Sequence, residues 1–355
     1  MDKTYFGLSE DMIKGLAKNL GIEDTEGKSP EEIMQLLMEM DKKLSKNVSE
    51  KKKKSKPHTL SHEDVEKIIA RSYELLPPRP AVRFTLKKGK PDIFDCKIGG
   101  VPYFPVDMEY PHNPINDKEP LYLLAQINFE KIPHIENFPE KGILQFYISA
   151  ADGEYGIGYE YPKQYGFRVI YHSDIITDRS KLMTEKELKK EGILPLRKLD
   201  EYALPIHTEY LLDVTGTEPV YPTSWDNRYN SALIAAYKEI TGKNAYIKDT
   251  ILRFDQDEDF IYDCLSETEK ALRGDNENCP AEAFIGGYPC FTQCDPRSED
   301  DGTDRLDTVL FELDSIYRND VSVEWGDCGT GAFLISSEDL RALDFSKVLY
   351  NYDCC

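Results

Sequence analysis

Gln126, Asn128, Glu312 and Asp314 are the polar members of two similar strings, LLAQIN at 123–128 and VLFELD at 309–314. Amides and carboxylates at matching positions can hold a cation, bind a donor-rich ligand or share acid–base work. EWGDCG at 324–329 adds Trp325 and Asp327, and an indole beside carboxylates suits a cationic or polar ligand. The chemical expectation is one polar cleft lined by Gln126, Asn128, Glu312, Asp314, Trp325 and Asp327, with no catalytic residue assigned. The competing expectation is structural: a Trp lid packed on the end of a sheet, Asp327 capping a turn, and the others satisfying nearby backbone.

Other chemistries find little support. The chain has no GxxxxGK[ST] phosphate loop, GxSxG elbow or HExxH metal helix. YGIGYEYPKQYG is glycine-rich but lacks GxGxxG, and leads instead into a strand-like FRVIY. EDDGTDRLD at 299–307 brings calcium to mind, yet Arg297 and Thr308 stand where an EF-hand needs acids. Cys279, Cys290, Cys294 and Cys328 lack the paired knuckles of a zinc site. Reduced cysteines, no metal and no cofactor are expected.

The elements that would position these residues are repeated. IGGVPYF at 98–104 returns as IGGYPCF at 285–291, 187 residues later, and GILQFYIS at 142–149 returns as GTGAFLIS at 329–336 at the same offset. LLAQIN and VLFELD follow at 186. Their alternation has the period of a strand with one face on a core. The pattern predicts an internal duplication with units at about 98–149 and 285–336. In each unit the IGGxPxF phrase is an irregular lead-in, its glycines supplying positive φ and its proline barring further pairing.

In order, IGGVPYFP, PLYLLAQINF, KGILQFYIS, IGGYPCFTQ, VLFELDS, WGDCGTGAFLIS and DLRALDFSKV resemble the YwqG-like family of bacterial proteins over about residues 80–355. The resemblance implies an α+β, mainly antiparallel β fold and a cytoplasmic bacterial protein, and brings no established reaction. Glu312 stands where that family more often has Gln, and the N-terminal helical module departs from its pattern.

Residues 9–20 and 29–44 read as two amphipathic helices, the second opened by Ser29, Pro30 and Glu32 as a capping box. The expected division is a helical hairpin at 1–46, a charged linker at 47–60 and the duplicated domain at 61–355. Ser61 should cap a helix over HEDVEKIIARSYELL, which PPRP at 77–80 ends. Residues 1–56 carry 12 Lys against 11 Asp or Glu, so of the net −21 the remainder holds −22. Such a surface repels nucleic acid and anionic membranes and favours basic partners. No basic leader or spanning apolar run is visible. The sequence therefore points to a cytoplasmic, non-catalytic binding protein that neutralises a basic protein, its helical module binding another protein. The alternative is a small-ligand binder or enzyme using the polar cleft.

Overall fold

The computed structural model describes residues 28–29, 32–33, 59–115, 119–150, 154–157, 160–194, 203–248, 251–273, 281–298, 300–318 and 320–354. The chain divides into two units, Met1–Leu60 and Ser61–Cys355. Within the first, Ser29 and Glu32 form the expected reciprocal pair, the Ser29 amide donating to Glu32 Oε2 at 2.7 Å and the Glu32 amide to Ser29 Oγ at 3.3 Å. Apart from Lys28 and Ile33, the rest of the expected helical hairpin and the lysine run at 51–56 lie outside the described residues.

The second unit opens with α1 (His62–Leu75), capped by Ser61 with Asp64 answering it. Its ten-stranded sheet is built from β1 (Arg79–Lys88), β2 (Lys97–Ile98), β3 (Tyr122–Asn128), β4 (Ile143–Ile148), β5 (Phe167–His172), β6 (Tyr210–Val220), β9 (Ala283–Gly286), β10 (Thr308–Asp314), β13 (Thr330–Ile335) and β14 (Leu349–Asp353). The spatial order is β14-β13-β10-β9-β1-β6-β2-β3-β4-β5, and every pairing is antiparallel. Two small hairpins stand apart, β7 (Ala245–Lys248) with β8 (Ile251–Phe254), and β11 (Ile316–Arg318) with β12 (Val321–Val323). Among the described residues four further helices follow the first: α2 (Glu185–Lys190), α3 (Asn227–Thr241), α4 (Glu258–Arg273) and α5 (Ser337–Arg341).

The order reads symmetrically about the central β1–β6 pair. The long strand β1 pairs outward with β9, and β6 pairs outward with β2. The sheet then curls into a nearly closed barrel, because the inward side chains of distant strands need one another to leave water. Phe146 of β4 stacks on Phe311 of β10 at 5.0 Å and meets Phe333 of β13 at 4.8 Å. At the seam, Phe167 of β5 meets Tyr350 of β14 at 5.3 Å. Gln164 closes that seam, its Oε1 accepting the Val169 amide at 2.9 Å and its Nε2 donating to the Phe345 carbonyl at 2.6 Å.

Alternation predicts strands buried on one face only. Instead all seven residues of β3 and all six of β4 and β13 are buried. The repeated phrases supply the second cover. Gly99 and Gly100 have φ of 62° and 75°, Gly286 and Gly287 of 77° and 67°, conformations open to glycine and costly to most residues. These glycines turn each phrase back over the outer face of its own half of the sheet.

Candidate functional site

The two matched polar positions hold those returning segments. Gln126 Oε1 accepts the Tyr103 amide at 2.9 Å and Gln145 Nε2 at 2.8 Å, while its Nε2 donates to the Ile93 and Asp95 carbonyls, both at 2.9 Å. In the other half the Glu312 carboxylate accepts the Cys290 amide, at 3.1 and 3.3 Å. Tyr103 and Cys290 are each the sixth residue of their phrase. Asn128 likewise donates to the Phe94 carbonyl and accepts the Glu130 amide, capping a short 3-10 turn. A buried amide or acid left without such partners would cost about 1–3 kcal/mol. Here each buried polar group holds a backbone that would otherwise have none.

The six expected residues do not gather. Gln126 and Glu312 stand five strands apart in the sheet order, roughly 24 Å along it. Both point away from the interior, since they alternate with Ala125 and Ile127, and with Phe311 and Leu313, which belong to the inner core. The space between the halves is filled by Phe146, Phe311 and Phe333 rather than opened as a cleft. Trp325 is fully buried, stacked on Tyr352 at 5.8 Å with Tyr155 edge-on at 5.4 Å. A Cβ on Gly331 would fall 2.3 Å from its ring. That indole face has no room for a cation. Asp327 is exposed, and its carbonyl accepts the Tyr317 hydroxyl.

Asp314 is chemically altered. Burial pushes its carboxyl up to about 6, against the pull of the Thr330 hydroxyl at 3.0 Å and the Ser315 amide at 2.9 Å, and nearby Glu282 adds repulsion. Two other buried groups escape sequence reasoning. The Lys97 ammonium donates to the Asp92 carbonyl at 2.9 Å and the Val101 carbonyl at 2.5 Å, and burial lowers it to about 7. His172 meets Gln145 Oε1 at 2.9 Å, and burial holds it near 4, so its ring is neutral at pH 7. These groups are enclosed and hydrogen-bonded. Among the described residues no three His, Cys, Asp or Glu are placed to hold a metal.

An open concavity lies elsewhere, lined mainly by the chain between β6 and β9. There α3, the β7–β8 hairpin and α4 fall within residues 221–282, where the chain between β1 and β2 spends only residues 89–96. Asp226 caps α3 and Gly242 ends it in the left-handed conformation. The groove measures about 490 Å³ and runs between Trp225, Ile247, Ile251 and Tyr262, with Asn230 and Cys294 in its wall. Trp225 is 45% exposed, Ile247 43% and Ile251 46%. The Asn230 amide donates to the Ser224 carbonyl at 3.0 Å, but its buried Oδ1 has no partner among the described residues.

A buried ion network stiffens the floor. Asp226, wholly enclosed, meets Arg228 at 2.7 Å and Arg297 at 3.0 Å, and Arg297 also grips Asp295 at 2.5 Å. Burial raises the Asp226 carboxyl, but Arg228 and then Arg297 outweigh it and leave it below the ordinary value. The sequence signal for this groove is the length of 221–282 between β6 and β9, set against residues 89–96 between β1 and β2. The family model for a domain of unknown function, DUF1963, matches residues 96–354. The chain belongs to the DUF1963 family. That match takes in the sheet from the second residue before the first IGG phrase to β14, the groove included. No curated protein matches the chain. No helix among the described residues is long and apolar enough to cross a membrane.

Proposed function

We propose that this DUF1963 protein is a non-catalytic binding protein that captures a basic partner, the partner laying an apolar side chain in the Trp225 groove. The observation that carries the reading is the groove itself, a half-open trough with three large apolar residues left in water on a rigid floor. Exposed apolar patches of this kind mark interaction sites more often than accident. The surrounding segment supports a cationic partner, for residues 221–282 hold 13 acidic against 7 basic side chains. Complementary charge would steer such a partner and set its orientation. The enclosed state of Lys97 and His172 favours binding over catalysis, and we propose the cytoplasm as the place of action.

The test uses the reporter already present. Of the two tryptophans, Trp225 is exposed and Trp325 buried. Titrating the full chain with a synthetic peptide carrying one Phe or Leu flanked by Lys and Arg should shift its emission saturably. A peptide flanked by Glu should not, and Ile251→Ser should weaken the response. Equal responses to both peptides, or none, would remove the reading.

We further infer that the domain is an internal duplication of the YwqG-like kind, each half lending its first strand to the other. The symmetric sheet order, the paired positive-φ glycines and the matching clamps from Gln126 and Glu312 support this. Superposing 98–149 on 285–336 should bring Gly99 onto Gly286 and Phe146 onto Phe333; a fit that fails there overturns it. The boundary proposed at about residue 60, with a helical module before it that binds a separate protein, draws support from the division at Leu60/Ser61.

A further inference from the structure

At the seam of the barrel lies a second hollow, of about 460 Å³, in the size range of small-ligand sites. Its walls come from Tyr165, Arg168, Tyr171, Phe345 and Ser346, with Gln164 bridging the two sides. We propose that this hollow binds a small aromatic anion, a carboxylate or phosphate borne on a flat ring, with Arg168 as its counter-ion.

The argument starts from charge. Acidic residues outnumber basic ones by 65 to 44, so an arginine should readily find a carboxylate. Arg71, Arg83, Arg179, Arg253, Arg305 and Arg318 all do. Arg168 does not. Among the described residues its contacts reduce to one long bond, Nη2 to the Gln164 carbonyl at 3.4 Å, and its buried Nε has no partner.

The nearby carboxylates are already committed. Glu160 takes Lys163 at 2.9 Å, and Asp344 takes Lys347 at 3.1 Å and the Ser346 hydroxyl at 2.5 Å. A guanidinium presents its donors in a planar fork that matches carboxylate and phosphate oxygens, and such charge-assisted bonds strengthen where water is partly displaced. Burying one face of that fork without an anion leaves a standing cost that a ligand would relieve.

The rings specify what the anion is attached to. Tyr171 and Phe345 sit 5.2 Å apart at 48°, a tilted pair in the wall of the hollow, and Tyr165 lies under Lys163 at 6.0 Å. Offset and tilted packing against such rings favours a flat apolar body. The Gln164 bonds tie both walls together, so the hollow is formed before anything enters it.

Calorimetric titration of the full chain with benzoate, phenyl phosphate, benzamide and acetate separates the contributions. Benzoate or phenyl phosphate should bind saturably, the tighter of the two identifying the head group, with benzamide and acetate weaker by about tenfold or more. Arg168→Gln should lose that preference for the anion and Arg168→Lys keep part of it. Circular dichroism establishes that each variant is folded. Should Arg168→Gln unfold, Tyr165→Ala serves in its place and should weaken benzoate or phenyl phosphate by several-fold. Benzamide binding as well as benzoate, Arg168→Gln binding like the parent, Tyr165→Ala binding unchanged, or no saturation by either aromatic anion to about 10 mM would each overturn the proposal.

Discussion

Replacing Asp314 by asparagine should stabilise the protein, and should do so mainly at pH values where the aspartate is charged. The carboxyl rises from 3.8 to about 6 because burial penalises its ionised form and Glu282 repels it. An acid whose folded value is raised binds its proton more tightly in the native state than in the unfolded one. Its relative contribution is therefore intact below about pH 3.8 and is lost as pH climbs through about 6. The whole loss corresponds to about 3 kcal/mol at neutral pH and above, and to about a fifth of that at pH 4. Asp314 keeps some solvent contact, so about 1–2 kcal/mol is the realistic gain at pH 8.

Asparagine keeps the acceptor oxygen that Ser315 and Thr330 use. It also replaces repulsion from Glu282 with an amide able to donate. The first half of the sheet offers a precedent, since the position aligned with Asp314 holds Asn128, which donates through Nδ2 and accepts through Oδ1. Thermal unfolding of parent and Asp314→Asn at pH 4, 6 and 8 should show a difference that widens from near zero to about 3–6 °C. Equal stabilisation at pH 4 and pH 8 would show that charge is not the cause. Destabilisation at pH 8 would show that the ionised carboxylate holds something the amide cannot.

Gln164→Ala should lower stability by about 1–3 kcal/mol, because it leaves the Val169 amide and the Phe345 carbonyl without their seam partner; chemical denaturation measures it, and no change would mean that the ring contacts alone close the barrel. Gly286→Ala and Gly242→Ala form a matched pair, both at positive φ. At Gly242 nothing lies within 4 Å and the cost should be about 1 kcal/mol, whereas at Gly286 the new Cβ would fall 2.6 Å from the Pro80 carbonyl oxygen, so a loss of several kcal/mol or failure to fold is expected. Equal effects at the two sites would count against a packed phrase. For Lys97 the sign runs the other way from Asp314: burial lowers its folded value to about 7, so the unfolded state binds more protons between pH 7 and about 10.5 and the lysine's cost fades as pH rises. Lys97→Met should accordingly flatten the stability profile from pH 7 to 9 relative to the parent, and parallel profiles would refute the assignment.

Strands were legible where the sequence spoke twice. LLAQIN and VLFELD alternate, and both are strands whose inner members Ile127, Phe311 and Leu313 enter the common core. The IGG phrases were legible as irregular because glycine and proline have few roles inside a sheet, and Ser61 announced α1 through its capping box. What alternation does not carry is whether the second face of a strand meets water or another part of the chain. That depends on where a segment twenty-odd residues away folds back, so Gln126 and Glu312 read as ligand groups although each holds the sixth residue of its phrase.

The groove and the seam hollow were hidden for a related reason. Trp225 stands in an unremarkable PTSWDN, and its exposure follows from where β7–β8 and α4 come to rest. Arg168 is one arginine in FRVIY, and nothing in that string tells that Glu160 and Asp344 are engaged by Lys163, Lys347 and Ser346 rather than by it. Residue type and spacing record what a side chain is able to do. Which of those capacities remains unspent is decided by packing and by the competition among partners. In this protein the polar residues at matched strand positions are consumed in holding the fold, and the capacities left over sit in the long segment between β6 and β9 and at the seam.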